Sequence, residues 1–166
     1  MAVKQTTKLV EEIEEFDLEK KVTVKSIADW QTGFKRIDGV GEVNIAPSGS
    51  VRLTRNEIIS QVQSGNKLFA GIDGRGSHAT LIIDDSATRR ELGFESDNMS
   101  QCVFNEKKVK DLFLIANENE FENRLKEEII TRAEQYAIVA AIRRLKLNDY
   151  SKIVIIERYT GFKIRK

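Results

Sequence analysis

Cysteine and histidine are nearly absent from this 166-residue chain, which has one of each, Cys102 and His78. A single thiol excludes an intrachain disulfide and makes a reducing compartment the expectation. One His and one Cys also cannot supply the four ligands of a structural zinc site. Charge of one sign is missing as well. The formal net charge of +1 gives no global pull toward nucleic acid, an anionic membrane or an acidic partner. No apolar run approaches the roughly 18 to 20 residues that span a bilayer, and residues 1–7, MAVKQTT, lack the hydrophobic segment of a secretory signal. The expectation is a soluble intracellular protein with no membrane partner, metal or cofactor. What is present is 40% apolar and 32% charged residues, enough for one core and a well-solvated surface, with room for a small second lobe.

The pattern predicts an α+β fold. Leu9, Ile13 and Phe16 repeat at helical spacing over residues 8–16, with an acidic opposite face that includes Glu11, Glu12 and Glu15. From Lys21 the period changes to two, with Val22, Val24 and Ser26 on one side of a strand. Further strands are expected at 30–37, 41–46 and 51–54, separated by Asp38-Gly39 and by Pro47-Ser48-Gly49, so that 21–55 reads as a meander. A short helix follows at 57–64. Two apolar runs, 68–72 and 79–83, flank a loop with Gly74 and Gly76 and read as a hairpin. Helices are then expected at 86–93, from Asn105 to 115, over 118–147 without interruption, and over 149–160 between Asp149 and Gly161. Residues 95–100 are polar and divide an antiparallel β-rich lobe, 1–97, from a helical lobe, 101–166.

Candidate chemistry is sparse. Gly71, Gly74 and Gly76 resemble a phosphate loop only in spacing, because dinucleotide sites need a strand-to-helix turn and strands are expected on both sides here. His78 lies near Ser77, Asp84 and Asp85, but neighbours on a strand face opposite ways, so a structural hydrogen bond is favoured over a catalytic pair. Asp84-Asp85 could offer oxygens to magnesium, and equally starts a helix; the cap is favoured. No catalytic, cofactor or metal residue is assigned. The C-terminal stretch from Arg143 holds Arg143, Arg144, Lys146, Lys152, Arg158, Lys163, Arg165 and Lys166 against Asp149 and Glu157. A basic end set against an acidic start suits subunits that meet head to tail. The expected interface residues are Glu11, Glu12, Glu15, Arg75, His78, Arg143, Arg144, Lys152, Arg158 and Lys163.

Residues 51–79, from VRLTRNEII to GSHA, and the tail 148–164, from NDYSK to YTGFKI, resemble small accessory structural proteins of tailed bacteriophages. The likeness lies in size, low proline and a Lys/Ile/Glu/Asn-rich style. It implies a non-enzymatic virion part, a capsid accessory or head–tail junction protein, found in the host cytoplasm and the virion. Such a protein would act as an oligomer, through contacts with its own copies or a larger shell protein. The alternative expectation is a nucleic-acid- or nucleotide-phosphate-binding protein that uses the basic C-terminal segment.

Overall fold

A computed structural model of the chain describes residues 15–165. The fold is α+β. Strand β1 (Lys21–Ser26) lies at the centre of an antiparallel sheet, between β4 (Ser50–Thr54) and β5 (Leu81–Ile83). Its alternation works as expected: Val22, Val24 and Ser26 are buried, and Val24 sits opposite both Val51 and Ile83. Strands β2 (Thr32–Lys35) and β3 (Glu42–Ile45) form a separate antiparallel hairpin, with Phe34 opposite Val43. The strands of 21–55 are therefore not a meander. The β2–β3 hairpin is an excursion, after which the chain returns as β4 to pair with β1.

The expected hairpin over 68–83 is also corrected. Its first arm is one helical turn, α2 (Lys67–Ala70), which follows α1 (Arg55–Gln63). Local chemistry explains the difference. The Asn66 side chain caps the Leu68 N–H, and Gly71 ends the turn at φ +69°, which a β-branched or bulky residue would resist. Phe69 is thereby driven fully into the core, edge-on to Phe34, while Ile72 is left 60% exposed. Only the second arm is a strand.

After α3 (Ser86–Glu91), capped by Asp85, come α4 (Glu106–Phe113), α5 (Glu118–Glu128), α6 (Arg132–Leu145) and α7 (Tyr150–Thr160). The helix expected over 118–147 is two helices. Ile129 turns extended, and Thr131 with Glu134 forms a reciprocal capping box that starts α6. The break is hidden in the apolar pattern because Phe121, Leu125, Ile129, Ala133 and Ile138 are buried on both sides of it. In α7 the caps prevail over the Ile-Val-Ile-Ile run: Asp149 holds the Lys152 N–H, and Gly161 closes the end in the left-handed region.

Among the described residues two buried apolar clusters form. One joins β1, β3, β4 and β5 with Ile58, Phe69 and Phe94. The other joins α4 to α7 around Phe121, Ile138, Ile142 and Ile156. The expected helix over 8–16 lies outside the described residues apart from Glu15 and Phe16, which have irregular backbone. Among the described residues no helix is long and apolar enough to cross a membrane.

Candidate functional site

Three places combine exposure with fixed geometry. The first is the loop between α2 and β5. The Asp73 carboxylate accepts the N–H groups of Arg75 (2.8 Å) and Ser77 (3.1 Å), and Gly76 packs against Phe94 and Gln101. Burial pushes the Asp73 carboxyl up, but these bonds and the Ser77 hydroxyl outweigh it and hold it below the usual range. His78 ends the loop at φ +57°, uncommon for a residue with a side chain. Its Nδ1 lies 2.9 Å from both oxygens of Glu134, and its main-chain N–H donates to the Cys102 carbonyl. Glu134 is 1% exposed and also accepts the N–H groups of Ile130 and Thr131. The pair is a hydrogen-bonded joint from the loop to the start of α6, beside a cavity of about 320 Å³ lined by Lys67, Thr80 and Thr131.

The second place is the turn between β2 and β3. Val40 is 97% exposed and Ile37 49% exposed at its apex. Beneath them, the buried Glu57 of α1 accepts the N–H groups of Ile37 (2.9 Å) and Asp38 (2.6 Å) and the amide of Gln61 (2.7 Å). Gln61 in turn donates to the Lys35 carbonyl and accepts from Asn66. Burial raises the Glu57 carboxyl, yet the Gln61, Ile37 and Asp38 donors more than offset it, so its folded value is lowered. A lowered carboxylate stabilises the fold above its ordinary value, and that stability is lost as pH falls through the folded value. Acidification should therefore release the turn: the Ile37 and Asp38 amides lose hydrogen-exchange protection below the ordinary glutamate range. In Glu57→Gln their protection should no longer follow pH there.

The third place is a cleft of about 290 Å³ between the strand region, which supplies Asp29 and Ser48, and α6 with the C-terminal segment. Its wall is Tyr136 and Phe162, ring centres 4.3 Å apart, with Trp30 edge-on to Tyr136 at 5.9 Å. The Arg132 guanidinium lies 4.2 Å over Phe162. Arg143 and Lys163 complete the lining, and Arg143 donates to the Lys163 carbonyl at 2.6 Å.

The expected contact residues are scattered. Glu11 and Glu12 lie outside the described residues, and Glu15 is exposed. Arg75 is exposed at the loop tip, whereas His78 is turned inward to Glu134. Arg144 pairs with Glu106, and Arg158 with Glu122 at 3.3 Å. Lys152 is corrected: it is 6% exposed, its ammonium bonded to the Phe113 carbonyl and Asp149 and near the Phe113 and Phe121 rings, so it offers nothing to a partner. Among the described contact residues only Arg143 and Lys163 come together. Asp84 pairs with Lys25, and Asp85 caps α3 while holding the buried Arg55. Cys102 accepts from the Lys108 ammonium through its sulfur. Among the described residues no group of three or more His, Cys, Asp or Glu could hold a metal ion. Sequence reasoning missed Glu57, Glu134, Trp30, Tyr136 and Phe162. For Glu134 a signal existed, the Thr-x-x-Glu spacing of a capping box.

The class defined by this geometry is an α+β protein with two apolar clusters, a rigidly mounted hairpin turn and an aromatic–basic cleft. No protein-family model, no curated protein and no solved structure matches the chain.

Proposed function

We propose that this protein is a non-enzymatic assembly protein that works through protein–protein contacts, with the β2–β3 turn as its docking element. The observation that supports this reading is an almost fully exposed Val40 on a turn held from below by the buried Glu57 carboxylate. An exposed valine alone would be unremarkable. Here the backbone under it is fixed by charge-assisted bonds, so a partner that covers the tip has little ordering left to supply. The partner is a second copy or a larger shell protein. The compositional resemblance to accessory proteins of tailed bacteriophages makes a capsid accessory or head–tail junction the setting.

Covering the valine is worth about 2 kcal/mol, and a carboxylate in its place would meet an apolar pocket. Val40→Asp should therefore weaken self-association, or association with a shell protein, by more than about tenfold. Light scattering coupled to size exclusion, across a concentration series, measures it. A wild-type chain that stays monomeric and does not co-elute with shell protein would refute the reading, as would a Val40→Asp variant that assembles normally.

A further inference from the structure

Among the described residues the cations of the C-terminal segment are either paired or unpaired; Lys152 pairs with Asp149, and of the unpaired ones Lys146 is exposed outside the cleft. Arg144, Arg158 and Arg165 each face a carboxylate, on Glu106, Glu122 and Glu157 respectively. Neutralised in this way, they have little left to offer an outside anion. Arg143 and Lys163 differ. Among the described residues neither has a carboxylate within ion-pair distance, and both line the cleft walled by Tyr136 and Phe162. Asp29 lines it too, without pairing with either. Two uncompensated cations beside a half-buried aromatic wall call for a ligand that is anionic at one end and flat at the other.

We propose that this cleft binds one nucleotide unit. The base lies against Tyr136 and Phe162, where stacking is tolerant of base identity. The phosphate takes the free guanidinium donors of Arg143 and the Lys163 ammonium. Asp29 and the Ser48 hydroxyl are the polar groups left for a base amino group or a sugar hydroxyl. Two further features support a built site. Arg143 is pre-aimed by its bond to the Lys163 carbonyl, and Ser48, at φ +54°, donates its own N–H to the Ala28 carbonyl. Strain of that kind in a residue with a side chain gathers at ligand sites. A cleft of about 290 Å³ admits a single unit and no duplex. The unit is therefore a free nucleotide or one residue of a single strand. This inference stands apart from the docking role of the β2–β3 turn, and either can fail without the other.

Trp30 is the only tryptophan and touches Tyr136 edge-on, so its emission reports occupancy of the cleft. The full chain is titrated at low salt with adenosine monophosphate, with an oligothymidylate and with inorganic phosphate. A saturable change with at least one of the first two is expected. Arg143→Ala and Lys163→Ala should each weaken it by about tenfold, and Arg144→Ala should leave it unchanged. Lys163→Ala replaces an exposed side chain, and its melting curve should match the wild type; Arg143→Ala also removes the bond to the Lys163 carbonyl, so the loss of binding is read from both variants together. Tighter binding of the oligonucleotide assigns a single strand as the source, and equal binding assigns the free nucleotide. No saturable change, an undiminished affinity in both cleft variants, or inorganic phosphate binding as tightly as the nucleotide would each overturn the proposal.

Discussion

Glu134→Ala should lower the free energy of unfolding by about 3–5 kcal/mol, because it strands several buried donors at about 1–3 kcal/mol each. The carboxylate is 1% exposed and has four donors: the N–H groups of Ile130 and Thr131, the Thr131 hydroxyl and the His78 ring. Truncation strands the two main-chain donors at the start of α6 and leaves the imidazole in a closed space without its acceptor. The loss exceeds that of an ordinary helix cap, which is about 1 kcal/mol, because the same residue also anchors the loop of the only histidine. Glu134→Gln keeps one accepting oxygen, and its cost should be smaller, about 1–2 kcal/mol. Urea unfolding followed by circular dichroism separates the two variants. Equal and small losses in both would mean that water replaces the carboxylate and that the joint contributes little.

Much of the architecture was legible because it is local. Asn105, Asp149 and Asp85 each cap a helix from one position away, and the alternation of Val22, Val24 and Ser26 marks a strand whatever it pairs with. What escaped depends on partners far along the chain. Nothing near Lys21 says that β1 will lie between β4 and β5. The run at 68–72 is apolar enough for a strand, but Asn66 and Gly71 impose a helical turn on it. At 129–134 the capping-box signal was present and was overridden by an apolar stripe that runs straight through the break. The sites show the same division. Arg75 is exposed at its loop tip. Lys152 reads as surface charge in a basic tail, yet its ammonium is satisfied by a carbonyl from α4, 39 residues earlier. Tyr136, Phe162 and Trp30 come from three separate segments, so no window of sequence contains their cluster. Charge counting likewise sees eight cations at the C-terminal end, whereas the fold neutralises three of the arginines and leaves Arg143 and Lys163 side by side.

Gly71→Ala and Gly74→Ala form a matched pair of substitutions with unequal expected costs. Both glycines have positive φ, +69° and +74°, where an L side chain is strained: alanine at Gly74 bears about 1–2 kcal/mol, whereas Gly71, with ψ −159°, lies in a region open essentially to glycine alone, at a cost of about 1–3 kcal/mol. At Gly74 nothing lies within 4 Å of the added methyl, and the penalty should end there. At Gly71 the methyl would overlap the Ser77 carbonyl oxygen and lie 2.9 Å from the carbonyl carbon. That oxygen accepts the Ile72 N–H at 3.0 Å, the bond that closes the loop, and the neighbouring Gly76 N–H is held by the Ala70 carbonyl at 2.7 Å. A side chain could rotate away from such a clash, but backbone on both sides cannot. The loop must open, adding an overpacking cost of about 1–3 kcal/mol, so Gly71→Ala should lose about 3 kcal/mol or more against about 1–2 for Gly74→Ala. Opening the loop also withdraws His78 from Glu134. The Gly71→Ala loss should therefore shrink when measured in a Glu134→Ala background, since the joint is already broken there. Thermal unfolding of the four chains tests this. If Gly71→Ala costs the same in both backgrounds, the loop and the α6 start are independent, and the histidine does not couple them.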